Sequence, residues 1–165
     1  MLHSIFLSSL IVSSLIARTP DGGIITVKGR QLLAEVARTA KERELGLAYR
    51  SSFKSERCLF VVPESEGLNP IRTAKFLLPF DVVWIDVEGI VVEVEERIPP
   101  CATGSNCPEH GGTKPSRYHV FLAAGMVRRL GLRLGDKVRW DLHFSDGTNL
   151  RNGPHAHAKP KGNNP

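Results

Sequence analysis

Asp81 is the residue of this chain best placed to do chemistry. It stands between the turn Pro79-Phe80 and the run Val82 to Ile85, in the most apolar stretch after the amino-terminal leader. A carboxylate there can accept backbone N–H bonds from its own turn, or face a cleft as a base or hydroxyl acceptor. The first is ordinary turn chemistry for Asp after Pro-x. For the second, Asp81 needs a carboxylate partner among Glu64, Glu66 and Asp86. Such a pair, about 5–10 Å apart across a cleft, would suit a hydrolase acting on carbohydrate or a related polymer. Arg72, Thr73 and Lys75 precede the turn and run toward the same rim. One anion, two cations and a hydroxyl on one rim make Asp81, Arg72, Thr73 and Lys75 the candidate ligand-binding set.

The cysteines carry the other chemistry. Cys101 and Cys107 bracket a short polar loop, and in an oxidising compartment the natural reading is a disulfide. A zinc site completed by His110 and His119 is the rival. Zinc pairs usually place two to four residues between cysteines, and here there are five, so no metal centre is expected. Cys58 lies inside Cys-Leu-Phe-Val-Val and packs as a small core residue. A phosphate-cradling glycine loop, a nucleophilic serine elbow and a zinc-protease motif are all missing, and no cofactor is expected.

These residues need a scaffold, and 165 of them make one ordinary domain. The net charge of +5 raises the question of an anionic partner. The basic residues are scattered, with Arg38, Lys41 and Arg43 set among Glu42 and Glu44, so a solvated surface is favoured over a nucleic-acid site. Ile5 to Ala17 is uncharged but falls short of the roughly 20 residues of a membrane helix. It fits the core of a signal peptide, which places the mature protein outside the cytoplasm, in the periplasm. A cytoplasmic protein with a disordered leader is the alternative.

Short apolar runs follow. Ile24–Lys28 and Leu32–Ala37 suggest a hairpin turned at 29–31, and Thr39 with Glu42 forms a capping box for a short helix. Cys58–Val62, Arg72–Leu77 and Asp81–Ile85 read as strands, with Gly89 turning the last of these into a return strand. There Val92 and Val94 face the core and Glu93 and Glu95 face water, with Val92 opposite Trp84. Residues 101–117 form a long aperiodic loop. Tyr118–Leu122, a basic helix over Gly125–Leu132, and the alternating Lys137–His143 complete the pattern. The expected fold is mostly β, a compact sandwich or barrel-like domain of short strands with two short helices. Its divisions are a leader and linker over 1–23, one domain over 24–144, and a disordered tail over 145–165.

The segment from Ile71 to Val94 resembles the domain of unknown function 192 family of bacteria and archaea. The likeness rests on Pro79-Phe80-Asp81, the Val82–Asp86 strand, Gly89 and Val91–Val94. Pro99-Pro100-Cys101 with Cys107-Pro108, and the closing phrase from Tyr118 to Val138, agree with it. Many relatives carry Trp-Met-Lys-Asn-Thr before the Pro-x-Asp turn, where this chain has Arg72-Thr73-Ala74-Lys75-Phe76. The resemblance implies a compact mostly-β domain and brings no reaction with it. Function is therefore read from the residues: a non-enzymatic, exported accessory protein that binds a small polar ligand or an envelope component. The hydrolase built on Asp81 and a basic nucleic-acid-associated protein are the alternatives.

Overall fold

Alternating apolar runs must bury one face each, and a single curled sheet gives them a common interior. The computed structural model describes residues 21–101 and 106–153; the expected leader and the far tail lie outside these. In chain order the elements are β1 (Gly22–Val27), β2 (Arg30–Ala37), α1 (Ala40–Leu45), β3 (Arg57–Val61), β4 (Gly67–Leu68), β5 (Ile71–Arg72) and β6 (Phe80–Ile85). They continue with β7 (Val91–Ile98), β8 (Glu109–His110), β9 (Pro115–Ser116), β10 (Tyr118–Ala123), α2 (Met126–Leu130), β11 (Val138–His143) and β12 (Asn149–Arg151). The main sheet has eight strands in the order β12-β11-β1-β2-β3-β10-β6-β7. Among the described strands of this sheet, only β2 and β3 pair in parallel. A parallel pair needs a crossover longer than a hairpin, and the segment carrying α1 supplies it.

The β6–β7 hairpin swings back toward β11. Ile90 bridges Lys137, and Val138 N–H donates to the Gly89 carbonyl at 2.8 Å. Gly89 permits the approach, with φ at +88° and only 2.4 Å between an added Cβ and the Val138 carbonyl oxygen. The sheet rolls up without closing into a barrel. Tyr118, Val120 and Leu122 of β10 point inside the roll, together with Val83, Trp140 and the α2 residues Met126, Val127 and Leu130. Phe121 points the other way, with Leu59, Val61, Phe80, Val82 and Trp84.

Two loops bury that second face. They pair with each other at β4–β9 and β5–β8. Trp84 Nε1–H donates to the Asn69 carbonyl at 2.9 Å, and Asn69 Nδ2–H donates to the Ser116 carbonyl at 2.8 Å. Glu95 Oε1 accepts from Gly111 N–H at 2.6 Å, and Glu93 accepts from both Thr113 N–H and its hydroxyl. Gly111 lies flat on Trp84: its φ is +61°, and a Cβ would stand 2.1 Å from the indole.

The mostly-β expectation with two short helices holds, and four details differ. Glu93 and Glu95 face the loop instead of water, because a clamped loop and bulk solvent call for the same alternation. Trp84 stands opposite Glu93, not Val92, since a bulge falls between Trp84 and Ile85. Arg72–Leu77 is no continuous strand: after β5 the chain turns at Lys75, with φ at +66°, and only single bridges at Ala74 and Phe76 reach Cys101. The domain also runs past 144, since β12 pairs with β11 and Asn152 Oδ1 accepts from Trp140 N–H at 2.8 Å. Three residues with one apolar side chain give too short a pattern to read.

Trp84 has no exposed surface and anchors both loops. Trp84→Ala should cost about 3–5 kcal/mol in urea unfolding. A loss below about 1 kcal/mol would mean that the loops do not depend on it.

Candidate functional site

Asp81 is fully buried and its oxygens are spoken for. Oδ1 accepts from Arg97 N–H at 2.8 Å and Gly125 N–H at 3.0 Å, and Oδ2 accepts from Val127 N–H at 2.8 Å. The Arg97 donor is a product of the bulge opposite Asp81, where β7 fits an extra residue and Arg97 takes φ of +54°. The other two donors open α2, whose first N–H groups have no partner within the helix. Asp81 therefore ties β6, the β7 bulge and α2 together. It faces the inside of the roll, in register with Leu122.

Arg72, Thr73 and Lys75 lie on the opposite side of the sheet, in the segment whose Ile71 and Phe76 pack on the second face. The structure thus places Arg72 and Lys75 along one cavity and leaves Asp81 apart from them. The cause is strand parity, which sends successive side chains to opposite faces. Thr73 is fully buried, with its hydroxyl unpartnered. Arg72 is exposed and pairs with Glu109 at 2.8 Å. Asp86 accepts from Glu88 and Ile90 N–H and closes the hairpin turn. Cys101 and Cys107 form a disulfide, and Cys58 is a buried free thiol whose ionisation burial disfavours.

A groove runs between α1 and the segment from Pro63 to Phe76. The capping box expected at Thr39 and Glu42 sets the start of α1, and Leu47 and Ala48 bury themselves just beyond its end. The helix itself buries no residue, so it overhangs the sheet as a wall. Arg43 crosses from this wall to Glu64 on the other at 2.5 Å. The groove has two lobes that share Glu44 and Arg72. The first, about 400 Å³, has Val61, Ile71, Phe76, Phe121 and His119 as its floor. The second, about 570 Å³, lies among Lys41, Leu45, Tyr49 and Lys75. Tyr49 and Lys75 both adopt positive φ, at 63° and 66°, and Tyr49 N–H donates to the Lys75 carbonyl at 3.0 Å. The Lys75 ammonium lies 5.5 Å from the Tyr49 ring centre, and its contact with the Tyr49 side chain raises it above the ordinary lysine range.

His119 is the unusual group in the floor. It sits in register between Val61 of β3 and Trp84 of β6, with the Phe121 ring 5.4 Å away. Only 7% of it is exposed, and its Nδ1 has no hydrogen-bond partner. Burial holds its ionisation down to about 3, so the ring is neutral at ordinary pH.

The sequence profile of DUF192, an uncharacterised ACR family, matches residues 23–140. The chain belongs to the DUF192 family. Two solved structures share the fold. One, from Sinorhizobium meliloti 1021, is provisionally described as a transcription regulator. It is 26% identical with a TM-score of 0.63, over 73% of this chain and 92% of that one. The other is a protein of unknown function from Novosphingobium aromaticivorans DSM 12444. It is 20% identical with a TM-score of 0.62, over 73% and 84%. No curated protein matches the chain.

Within this DUF192 domain, sequence reasoning found Arg72 and Lys75 of the groove and missed His119, which it placed only in a zinc alternative. The available signal was parity: His119 alternates with Tyr118 and Val120, so it must share a face with Phe121. Asp81→Asn replaces an acceptor oxygen with an N–H₂ that confronts backbone donors. We expect a stability loss of about 1–3 kcal/mol in urea with the groove unaltered. Unchanged stability would show that the three bonds are not needed.

Proposed function

We propose that this DUF192 domain is a non-enzymatic accessory protein that binds a small molecule over His119 and acts outside the cytoplasm. The observation that carries the reading is His119, a neutral imidazole in the floor of the first lobe whose buried Nδ1 has no partner. A buried polar group without a partner costs about 1–3 kcal/mol, which an aromatic residue at the same place would avoid. Small-ligand sites are concave and mostly apolar, with a few placed polar groups, and the first lobe has that composition. The hydrolase reading has less support. Asp81 is sealed from the groove, Asp86 serves its turn and Glu64 pairs with Arg43. The nucleic-acid reading, which the description of the Sinorhizobium relative would favour, meets a surface where Arg38, Arg43, Arg50 and Arg72 are already paired with carboxylates. Export is supported by the disulfide, a bond of oxidising compartments. Among the described residues no helix is long and apolar enough to cross a membrane.

His119→Phe tests the ligand reading. The native ring refuses a proton that the unfolded chain takes up near pH 6.5, so wild-type stability falls as pH drops from about 6.5 toward about 3. Between pH 7 and 5 the wild type should lose about 2 kcal/mol more than the variant. At pH 7 the variant should be the more stable by about 1–3 kcal/mol. Indole, used as a probe in amide NMR titration, should shift resonances around His119 and Phe121 of the wild type and not those of the variant. Indole shifts that avoid the groove, or persist in the variant, would defeat the reading.

Compartment has its own test. Recovered from the periplasm and denatured without reduction, the protein should expose one thiol, Cys58, of its three cysteines. Three free thiols in a cytoplasmic fraction would overturn export.

A further inference from the structure

The second lobe adds a chemical class to this reading, on which the inference rests. The two lobes meet at Glu44 and Arg72, so a molecule seated on His119 extends naturally toward Lys41 and Lys75. The first lobe offers a body-sized apolar floor and one buried imidazole. The second offers ammonium groups on a wall and a turn: Lys41 on the exposed side of α1, and Lys75 held over Tyr49. Lys75 is not placed there by chance of a flexible loop. Its positive φ is fixed by two backbone bonds, its N–H to the Cys101 carbonyl at 2.9 Å and its carbonyl from Tyr49 N–H at 3.0 Å. The adjoining disulfide anchors Cys101 in turn.

From this juxtaposition we infer that the groove takes an amphipathic carboxylate, its apolar body on His119 and Phe121 and its anionic end between Lys41 and Lys75. The charge count favours a single negative charge. Glu44 offsets one cation of the lobe, and Arg72 already bonds Glu109. A phosphate, carrying about −1.5 to −2 at neutral pH, would exceed what remains. A neutral ligand would leave the one remaining positive charge of the lobe without a counter-charge.

The test compares molecules that share one body. Calorimetric titration of the whole protein at low salt would use 4-phenylbutyrate, its neutral amide, and the corresponding phosphonate. The carboxylate should bind about tenfold tighter than the amide, a difference of about 1.4 kcal/mol, and tighter than the phosphonate. In the double variant Lys41→Gln/Lys75→Asn the carboxylate should bind no tighter than the amide. Asn is chosen because it tolerates the left-handed backbone at this position. Equal binding of carboxylate and amide to the wild type would overturn the inference and leave the His119 lobe standing. A phosphonate that binds tighter than the carboxylate would overturn the single-charge argument and with it the class. If none of the three binds, the groove itself is no ligand site, and both readings fall. The wild-type comparison decides these outcomes even if the variant does not fold.

Discussion

One buried carboxylate fastens the β6–β7 hairpin to the start of α2. Asp81 receives N–H bonds from Arg97 in the β7 bulge and from Gly125 and Val127, which open α2. An uncompensated carboxylate at zero exposure would be prohibitive, so the three donors and the acceptor must come together or not at all. The bulge that frees the Arg97 N–H also sharpens the twist of β7. The hairpin it belongs to reaches β11 at its turn, where Gly89 accepts from Val138. The same carboxylate fixes the start of α2, whose Met126, Val127 and Leu130 fill the inside of the roll.

The other face is organised by a row of side chains, Val61, His119 and Trp84, that crosses three neighbouring strands. Trp84 recruits the loops through its N–H and through Gly111 stacked on its ring. Glu93 and Glu95 fasten the second loop from β7. These ties cover Trp84 but stop short of His119, because α1 stands off the sheet and leaves a gap between its wall and the Pro63–Phe76 segment. The groove is thus a consequence of how α1 is held, by a cap at one end and by Leu47 and Ala48 at the other.

What could be read from sequence was what local physics decides. The Thr39–Glu42 box, the Gly89 turn and the alternation in β11 depend on residues a few positions apart, and all are present. The pairing of Cys101 with Cys107 also lies within one loop. Asp81 shows where this reasoning stops. Its position beside a proline turn suggested local N–H partners, whereas two of its three donors are 44 and 46 residues away. Glu93 and Glu95 obeyed the alternation of a solvated strand, yet what they face is a loop that the sequence pattern could not place. Arg72 and Lys75 were recognisable as cations near a strand end. Their separation from Asp81 follows from parity across a sheet whose pairing was unknown.

The distribution of unmet polar groups carries the last step. Among the described residues, five buried side-chain atoms lack a hydrogen-bond partner: Thr73 Oγ1, His110 Nε2, Ser116 Oγ, His119 Nδ1 and Trp140 Nε1. Only Trp140 belongs to the inside of the roll. The other four lie in the layer formed by the second face and its loops, around Trp84. A core selected for stability alone would place its polar deficit at random or remove it, since each unmet group costs free energy. Here the interior keeps one unmet atom beside a carboxylate with three donors, and of the five residues His119 lines the groove. Unmet groups in a native structure call for a specific explanation, and for His119, in the floor of the groove, an incoming ligand supplies one.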